Sequence, residues 1–418
     1  MSGPSRPVAD FDHHALDWLA NRHAHHQALR RLGPVVWNPR YGGFWYVIGY
    51  DEVAAVARDS TTFTPRYDAE PVDGLRTIGI MGVPRPDHLP PAGIAEADGA
   101  RHQALRRLLN PRLLPAAVTR DRPFMAATTR WFLDRHVERG AMDLVLDLTS
   151  PVPAVLTMHL VGLPCDTWQH YAELFHGTLA YPSTSDEFRR AVARVPAMVA
   201  ELRALADDRR RSPGDDLLSE LVHLRVDGQL LADDDVVAVL WNLIGGGLDT
   251  TTSLTSLALH HLADHPDLRK RLTGDPGALR TAGEEYLRWT SVNETLTRTC
   301  TRDVELGGQH IARGEVVMMS WLAANHDPAA FSCPDDVVAD RTPNPHLAFG
   351  VGAHRCIGMH VARALFEVMV TEVLDRIPDY QPVPGQTRFY EGNPELFGVV
   401  QMPVTFTPVA PSGEPRPF

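Results

Sequence analysis

Apolar residues recur every three or four positions through the middle of the chain. This spacing predicts helices over 98–110, 115–139, 151–162, 166–179, 184–210, 233–264 and 278–290. The first hundred residues are more mixed. HALDWLANRHAHHQALRRLG (14–33) has helical spacing and ends on Gly33. GGFWYVIGY (42–50) is aromatic and β-branched, as a strand is. DEVAAVARDS (51–60) opens on Asp51, an N-cap residue type for a short helix. A Gly- and Pro-rich run at 79–99 breaks the pattern, and long loops inside compact domains often serve as lids. After 290 the period shortens to strands around Gly307-Gly308 (297–320), then coil to 356, a helix over 357–377 and short closing strands. The expected fold is mainly α with minor β. It forms one domain over 1–418, ordered over about 10–408 and flexible at 1–9 and 409–418.

The run over 233–264 differs from the other helices. Asp233, Asp234 and Asp235 open it, which suits the helix dipole, and it stops before Pro266. It is apolar all round and long enough to cross the domain at about 45 Å, with about 1.5 Å per residue. Inside it lies GGGLDTTT, and each glycine there costs roughly 1 kcal/mol against alanine. Small residues of this kind often serve close helix packing. They also suit an opening where a ligand and water sit, bent by a Thr250 hydroxyl bonded back to the carbonyl of Gly246.

Composition narrows the class. The net charge of −12 excludes a whole-chain nucleic-acid role, which needs an excess of Lys and Arg. No run approaches twenty apolar residues, and MSGPSRPVADFDHH has no apolar core, so neither membrane span nor signal peptide is expected. Cys165, Cys300, Cys333 and Cys356 are scattered without a C-x-x-C pair, which points to a reducing cytoplasm and no disulfide framework. The abundance of Arg, Ala and Pro is associated with a high-GC genome.

HLAFGVGAHRCIG (346–358) holds three glycines, two histidines and one cysteine. Gly350, Gly352 and Gly358 allow a tight turn and close approach by a flat or bulky partner. Cys356 lies just before a helix, where free N–H groups favour a thiolate. Such a sulfur can be a metal ligand, a nucleophile or a buried structural cysteine. Zinc would need three more ligands where only His346 and His354 stand nearby, and a nucleophile would need a base supplied by the fold.

The full spacing Phe349-Gly350-x-Gly352-x-His354-x-Cys356-x-Gly358 resembles the haem-binding loop of the cytochrome P450 family, and the resemblance runs from about 40 to 405. It implies a soluble bacterial enzyme of actinobacterial type, with a triangular helix-rich fold around a long central helix. Cys356 would then be the axial thiolate on the iron of haem b, which favours O–O cleavage. Phe349, Gly350 and Gly358 would frame the sulfur, and His354 would face a haem propionate. His102 and Arg106 resemble the family's propionate pair, and Arg298 occupies another propionate position. Gly246-Gly247-Leu248-Asp249-Thr250 fits the family's oxygen-activation pattern, in which acid and hydroxyl organise water for proton delivery. Glu285 and Arg288 share a helix face three residues apart, ordinarily a surface pair worth little. The resemblance instead links them to Arg341 as a buried scaffold network.

Two runs depart from the family. EADGARH replaces Asp-Pro-Pro-x-His, and Asn325-His326-Asp327-Pro328 replaces Asn-Arg-Asp-Pro. By family position the substrate would meet Ile80, Met81, Val83, Leu179, Tyr181, Asn242, Gly245, Gly246, Val292, Asn293, Leu396 and Phe397, a mostly apolar set with a few polar handles. Arg101, Arg107, Arg112 and Arg355 would form a basic face for an acidic ferredoxin, which passes on electrons from NAD(P)H and a reductase. The implied activity is oxidation of a small, largely apolar natural product by a monomeric cytoplasmic monooxygenase, by hydroxylation, epoxidation, demethylation or aryl or C–C coupling. A non-catalytic haem-binding recruitment or sensor protein is the competing class, and the Asp249–Thr250 pair argues against it. A zinc hydrolase using Cys356 and His354 is a third.

Overall fold

The longest helix, Asp233–Asp264, is buried on all sides and packs against helices Pro151–Val161, Trp168–Ala180, Asp186–Arg211 and Met359–Arg376. A computed structural model describes residues 6–418. Helix occupies 51% of the chain and strand 12%, which makes the fold mainly α. The central helix is shared by two apolar clusters. Val236, Leu240 and Ile244 belong to one, and Leu254, Leu257 and Leu262 to the other. The changeover falls between Leu248 and Leu254, so Asp249 and Thr250 sit at the seam of the two cores.

A five-stranded sheet in the order Val35–Asn38, Phe44–Val47, Val316–Ser320, Thr295–Cys300, Phe63–Thr64 carries a third cluster around Trp45 and Val317. Its inner pair is antiparallel, with Val317 opposite Arg298 and Met319 opposite Leu296. A smaller sheet joins Gln381–Pro382, Pro403–Thr405 and Ala141–Asp143.

The central helix has the bounds expected of it, and most others agree within a few residues. The helix expected over 14–33 is two helices, Leu16–Ala20 and Arg22–Arg30, broken at Asn21. Gly49, not Asp51, caps Tyr50–Arg58, with Asp51 and Glu52 in its first turn. The helix from Pro115 ends at Asp134, and Leu217–Val222 is an added short helix.

The 79–99 loop is tied down rather than loose. The Glu96 carboxylate accepts from the amides of Ile80 and Ala92 and pairs with Arg85. Of the N-terminal stretch expected to be flexible, 1–5 lie outside the described residues, and Val8 bridges to Trp37. The stretch 409–418 lies against helix Pro115–Asp134. Glu414 pairs with Arg130 at 2.7 Å, and the Phe418 ring stands 5.3 Å from Trp131.

Candidate functional site

The Cys loop is set by its backbone. Gly350 and Gly352 have φ of 65° and 79°, in the left-handed region. A Cβ on Gly352 would fall 2.7 Å from the Ala57 carbonyl, so the close approach it permits is to the chain's own helix Tyr50–Arg58. The Cys356 amide donates to Phe349 O at 2.8 Å, and Arg106 donates to the carbonyl of Arg355 at 2.7 Å. Arg106 therefore holds the loop beside the sulfur. Cys356 is water-accessible, yet deep enough for burial to push its thiol up. The Gly358 amide and Arg106, Arg363 and Arg355 oppose that push without cancelling it. The thiolate expected from the helix start is thus not reached by the protein alone.

The three central glycines divide their work. A Cβ on Gly245 would meet the Phe175 ring at 2.6 Å, and one on Gly247 would meet Thr157 at 2.5 Å; both serve helix packing. One on Gly246 would meet nothing within 4 Å, although the residue is midway along the most buried helix. The Thr250 hydroxyl donates to Gly246 O at 2.8 Å, as its spacing suggests. Asp249 is buried, and its Oδ1 lies 3.4 Å from Nδ1 of His176. Its Oδ2 is buried without a partner among the described residues.

His176, on helix Trp168–Ala180, is not visible from local sequence. Burial pulls its imidazole down, but Asp249, with the Val400 backbone and Asp143, more than offsets this and raises it above its ordinary value. The Tyr390 hydroxyl stands 3.3 Å from the same Nδ1.

The basic candidates gather at one edge. The His102 and His354 rings lie 4.2 Å apart, and His354 Nε2 is 3.2 Å from Asp98 Oδ1. Arg298 is buried, and among the described residues its guanidinium donates only to the carbonyl of its neighbour Thr297; burial lowers it to about 10 despite Asp98 and Glu96. A polar recess of about 390 Å³ opens here, lined in part by Thr64, Arg66, Asp98, His102 and His354.

The substrate candidates fall into two groups. Thr297 N donates to Ile80 O at 3.2 Å, Asn293 bridges to Leu396, and Phe397 N donates to Val292 O at 2.9 Å; Ile80, Val292, Asn293, Leu396 and Phe397 therefore lie on adjoining segments. Met81 continues the first of these segments, and Leu179 and Tyr181 are half-buried beside the larger core. Asn242 is half-buried, and its amide has no hydrogen-bond partner among the described residues. Val83, however, is buried among Trp18, Phe44 and Met318, and Gly245 lies under Phe175, so both serve packing instead. The Phe397 ring is held between Arg22 and Phe389. Glu395, next to Leu396, carries no signal in the sequence: burial alone pushes its carboxyl up to about 7.

Glu285, Arg288 and Arg341 form one buried network. Arg288 reaches both Glu285 oxygens at 2.8 and 2.9 Å, and Arg341 Nε reaches them at 3.0 and 3.1 Å. Burial pushes the Glu285 carboxyl up, but these bonds outweigh it and hold the group below its ordinary range. On the suggested docking face, Arg101 is paired with Asp235 and Arg112 with Glu220, leaving Arg107 and Arg355 exposed without ion-pair partners among the described residues.

The family model for cytochrome P450 matches residues 83–275 and 279–385. The chain is 32% identical to a steroid C26-monooxygenase of Mycobacterium tuberculosis, over 85% of this chain and 96% of that one. It is 30% identical to linalool 8-monooxygenase of Pseudomonas putida, over 82% and 87% of the two chains. The solved structure of a Mycobacterium marinum cytochrome P450 with pseudoionone superposes with a TM-score of 0.87 at 29% identity, covering 97% of this chain and all of that one. Matched over most of its length in sequence and in fold, the chain belongs to the cytochrome P450 family and is a haem-dependent monooxygenase.

Proposed function

We propose that this monooxygenase oxidises a small, largely apolar natural product, using electrons that NAD(P)H supplies through a reductase and a ferredoxin. The observation that carries the reading is the deep yet accessible Cys356 sulfur, together with the opening at Gly246. The residues present fit a haem. Cys356 would hold the iron. Arg298 is a buried guanidinium with spare N–H groups, and His354 Nδ1 is buried with no partner among the described residues, so an anionic propionate would complete both. His102 and Arg106 would join them, with Phe349, Gly350 and Gly358 around the sulfur. With a thiolate ligand, haem supplies dioxygen activation.

The chain's own part is to bind, orient and move protons. Thr250 spends its hydroxyl hydrogen on Gly246 O, which leaves its lone pairs as acceptors on the open side. Asp249 keeps Oδ2 free to pass a proton, while His176 and Tyr390 anchor Oδ1 and its surroundings. Asp249→Asn keeps the shape and removes the proton, so product formation should slow about 10²-fold. Thr250→Ala should bind haem normally while consumed NAD(P)H appears as peroxide. Unchanged product per NAD(P)H in Thr250→Ala would refute its part in proton delivery.

Ile80, Met81, Asn242, Gly246, Val292 and Leu396 would line the pocket, with Leu179, Asn293 and Phe397 at its margin. Relatives named for a steroid and for linalool support an apolar substrate. Two free arginines, Arg107 and Arg355, support a smaller docking patch for the ferredoxin than four would. Four free cysteines suit a reducing cytoplasm, and no described helix is long and apolar enough to cross a membrane. The test is a screen of apolar natural products for shifts of the haem absorption band, then turnover with ferredoxin, reductase and NAD(P)H. Oxidised product is expected; verified electron delivery with no substrate-dependent NAD(P)H use would count against the reading.

The His176–Asp249 pair carries a pH signature. Because folding raises the His176 value, its contribution is fully present below the unfolded value of about 6.5 and lost as pH rises through the folded one. Chemical denaturation of the wild type should show a fall in stability across that window that His176→Gln lacks. Parallel pH profiles for the two proteins would remove the charged pair from the account.

A further inference from the structure

We propose that His23, His326 and Asp335 form a binding site for one divalent cation of the zinc type, separate from the catalytic pocket. The three residues come from helix Arg22–Arg30, from the position after the short helix Trp321–Asn325, and from the segment leading into the Cys loop. One donor atom from each lies within 4.8 Å of the others. Ligands of a tetrahedral ion with bonds of about 2.0–2.1 Å stand about 3.3 Å apart. His23 and Asp335 are both exposed, so side-chain rotation suffices to close the difference.

His326 carries the argument. It is buried, and its Nδ1 lies 3.0 Å from Leu322 O, which fixes the hydrogen on Nδ1 and the lone pair on Nε2. That Nε2 is buried with no partner among the described residues. A buried acceptor left unmade is costly, and a metal ion is the partner an imidazole lone pair suits best. The His23 ring meets His326 edge-on at 4.6 Å. Asp335 Oδ2 accepts from Gln27 at 3.1 Å, an outer partner of the kind that orients ligating carboxylates.

The surrounding charges permit a cation. Arg22 is paired with Glu294 and Arg288 with Glu285, while Arg30 donates to the carbonyl of Ala323 and has no ion-pair partner among the described residues. Two imidazoles, one carboxylate and an exposed position for water suit Zn²⁺ over Mg²⁺ or Ca²⁺, which prefer oxygen. His326 also belongs to Asn325-His326-Asp327-Pro328, the run whose departure from the family the catalytic site leaves without a role.

The test strips the haem-loaded protein with a chelator, then titrates it with Zn²⁺, counting zinc per haem and following the melting temperature. One tight zinc per haem and a higher melting temperature are expected. His23→Gln and Asp335→Asn, both at the surface, should each weaken that site at least tenfold and cancel the rise. Should His23→Gln fail to fold, Asp335→Asn decides alone. Wild-type zinc uptake matched by the variants, or no zinc-dependent rise in the wild type, overturns the proposal. Mg²⁺ as effective as Zn²⁺ overturns it too.

Discussion

Replacing Cys356 with serine removes the red-shifted absorption of the ferrous carbon monoxide complex and abolishes turnover, while the fold survives. Serine is nearly the same size, and the backbone bonds that set the loop, Cys356 N to Phe349 O and Arg106 to Arg355 O, do not involve the side chain. The loop backbone should therefore hold, and any fall in melting temperature should follow the amount of haem lost, since a group bound only by the folded state stabilises it. What goes is the polarizable sulfur, and no other cysteine can replace it. Cys165 bonds toward Val155 O, Cys300 lies in the sheet beside Arg302, and Cys333 stands exposed at the surface. Loss of activity should exceed the 10–100-fold that losing an outer partner costs a metal site. Difference spectra and melting curves on the same preparations check both halves. A serine variant that keeps the red-shifted band would sink the assignment.

The elements best read from sequence are those whose signals are local. Asp233 to Asp235 and Pro266 mark both ends of the central helix, and its apolar surface predicts burial. Thr250 bonds to Gly246 because a helix places i and i+4 together whatever surrounds them. Asn21 carries only a weak signal: it is an N-cap residue type inside an otherwise unbroken helical spacing, and it ends one short helix and starts the next.

Tertiary partners are less legible. His176 lies 73 residues before Asp249, in FHGTLA, where a histidine on an apolar helix reads as filler. Of the four arginines of the basic face, two are occupied by Asp235 and Glu220, which are distant in the chain and so do not show beside them in the sequence. The glycines of GGG are identical as letters, and only Phe175 and Thr157 distinguish the packed Gly245 and Gly247 from the open Gly246. His23 and His326 are separated by most of the chain, so neither announces the other.

Glu285→Ala is expected to cost about 3–5 kcal/mol, the range for removing one partner of a buried ion network. Against a total stability of about 5–15 kcal/mol, that is enough to leave little soluble haem protein. Glu285 and Arg288 are both 0% exposed. The carboxylate also accepts from Val338 N and from Asn344 Nδ2, on the segment entering the Cys loop. Without it Arg288 keeps the carbonyls of Asn325, Pro334 and Asp336, and Arg341 those of Ser332 and Cys333, but neither keeps a counter-charge. Glu285→Gln retains two polar atoms and should lose less than alanine. The pH dependence follows from the lowered carboxyl: its contribution is present above the unfolded value of about 4.3 and lost as pH falls through the folded one. Denaturant titrations at neutral pH and at pH 4 measure both. A Glu285→Ala protein as stable as wild type at neutral pH would reduce the network to ornament, and the Cys loop would then need another anchor.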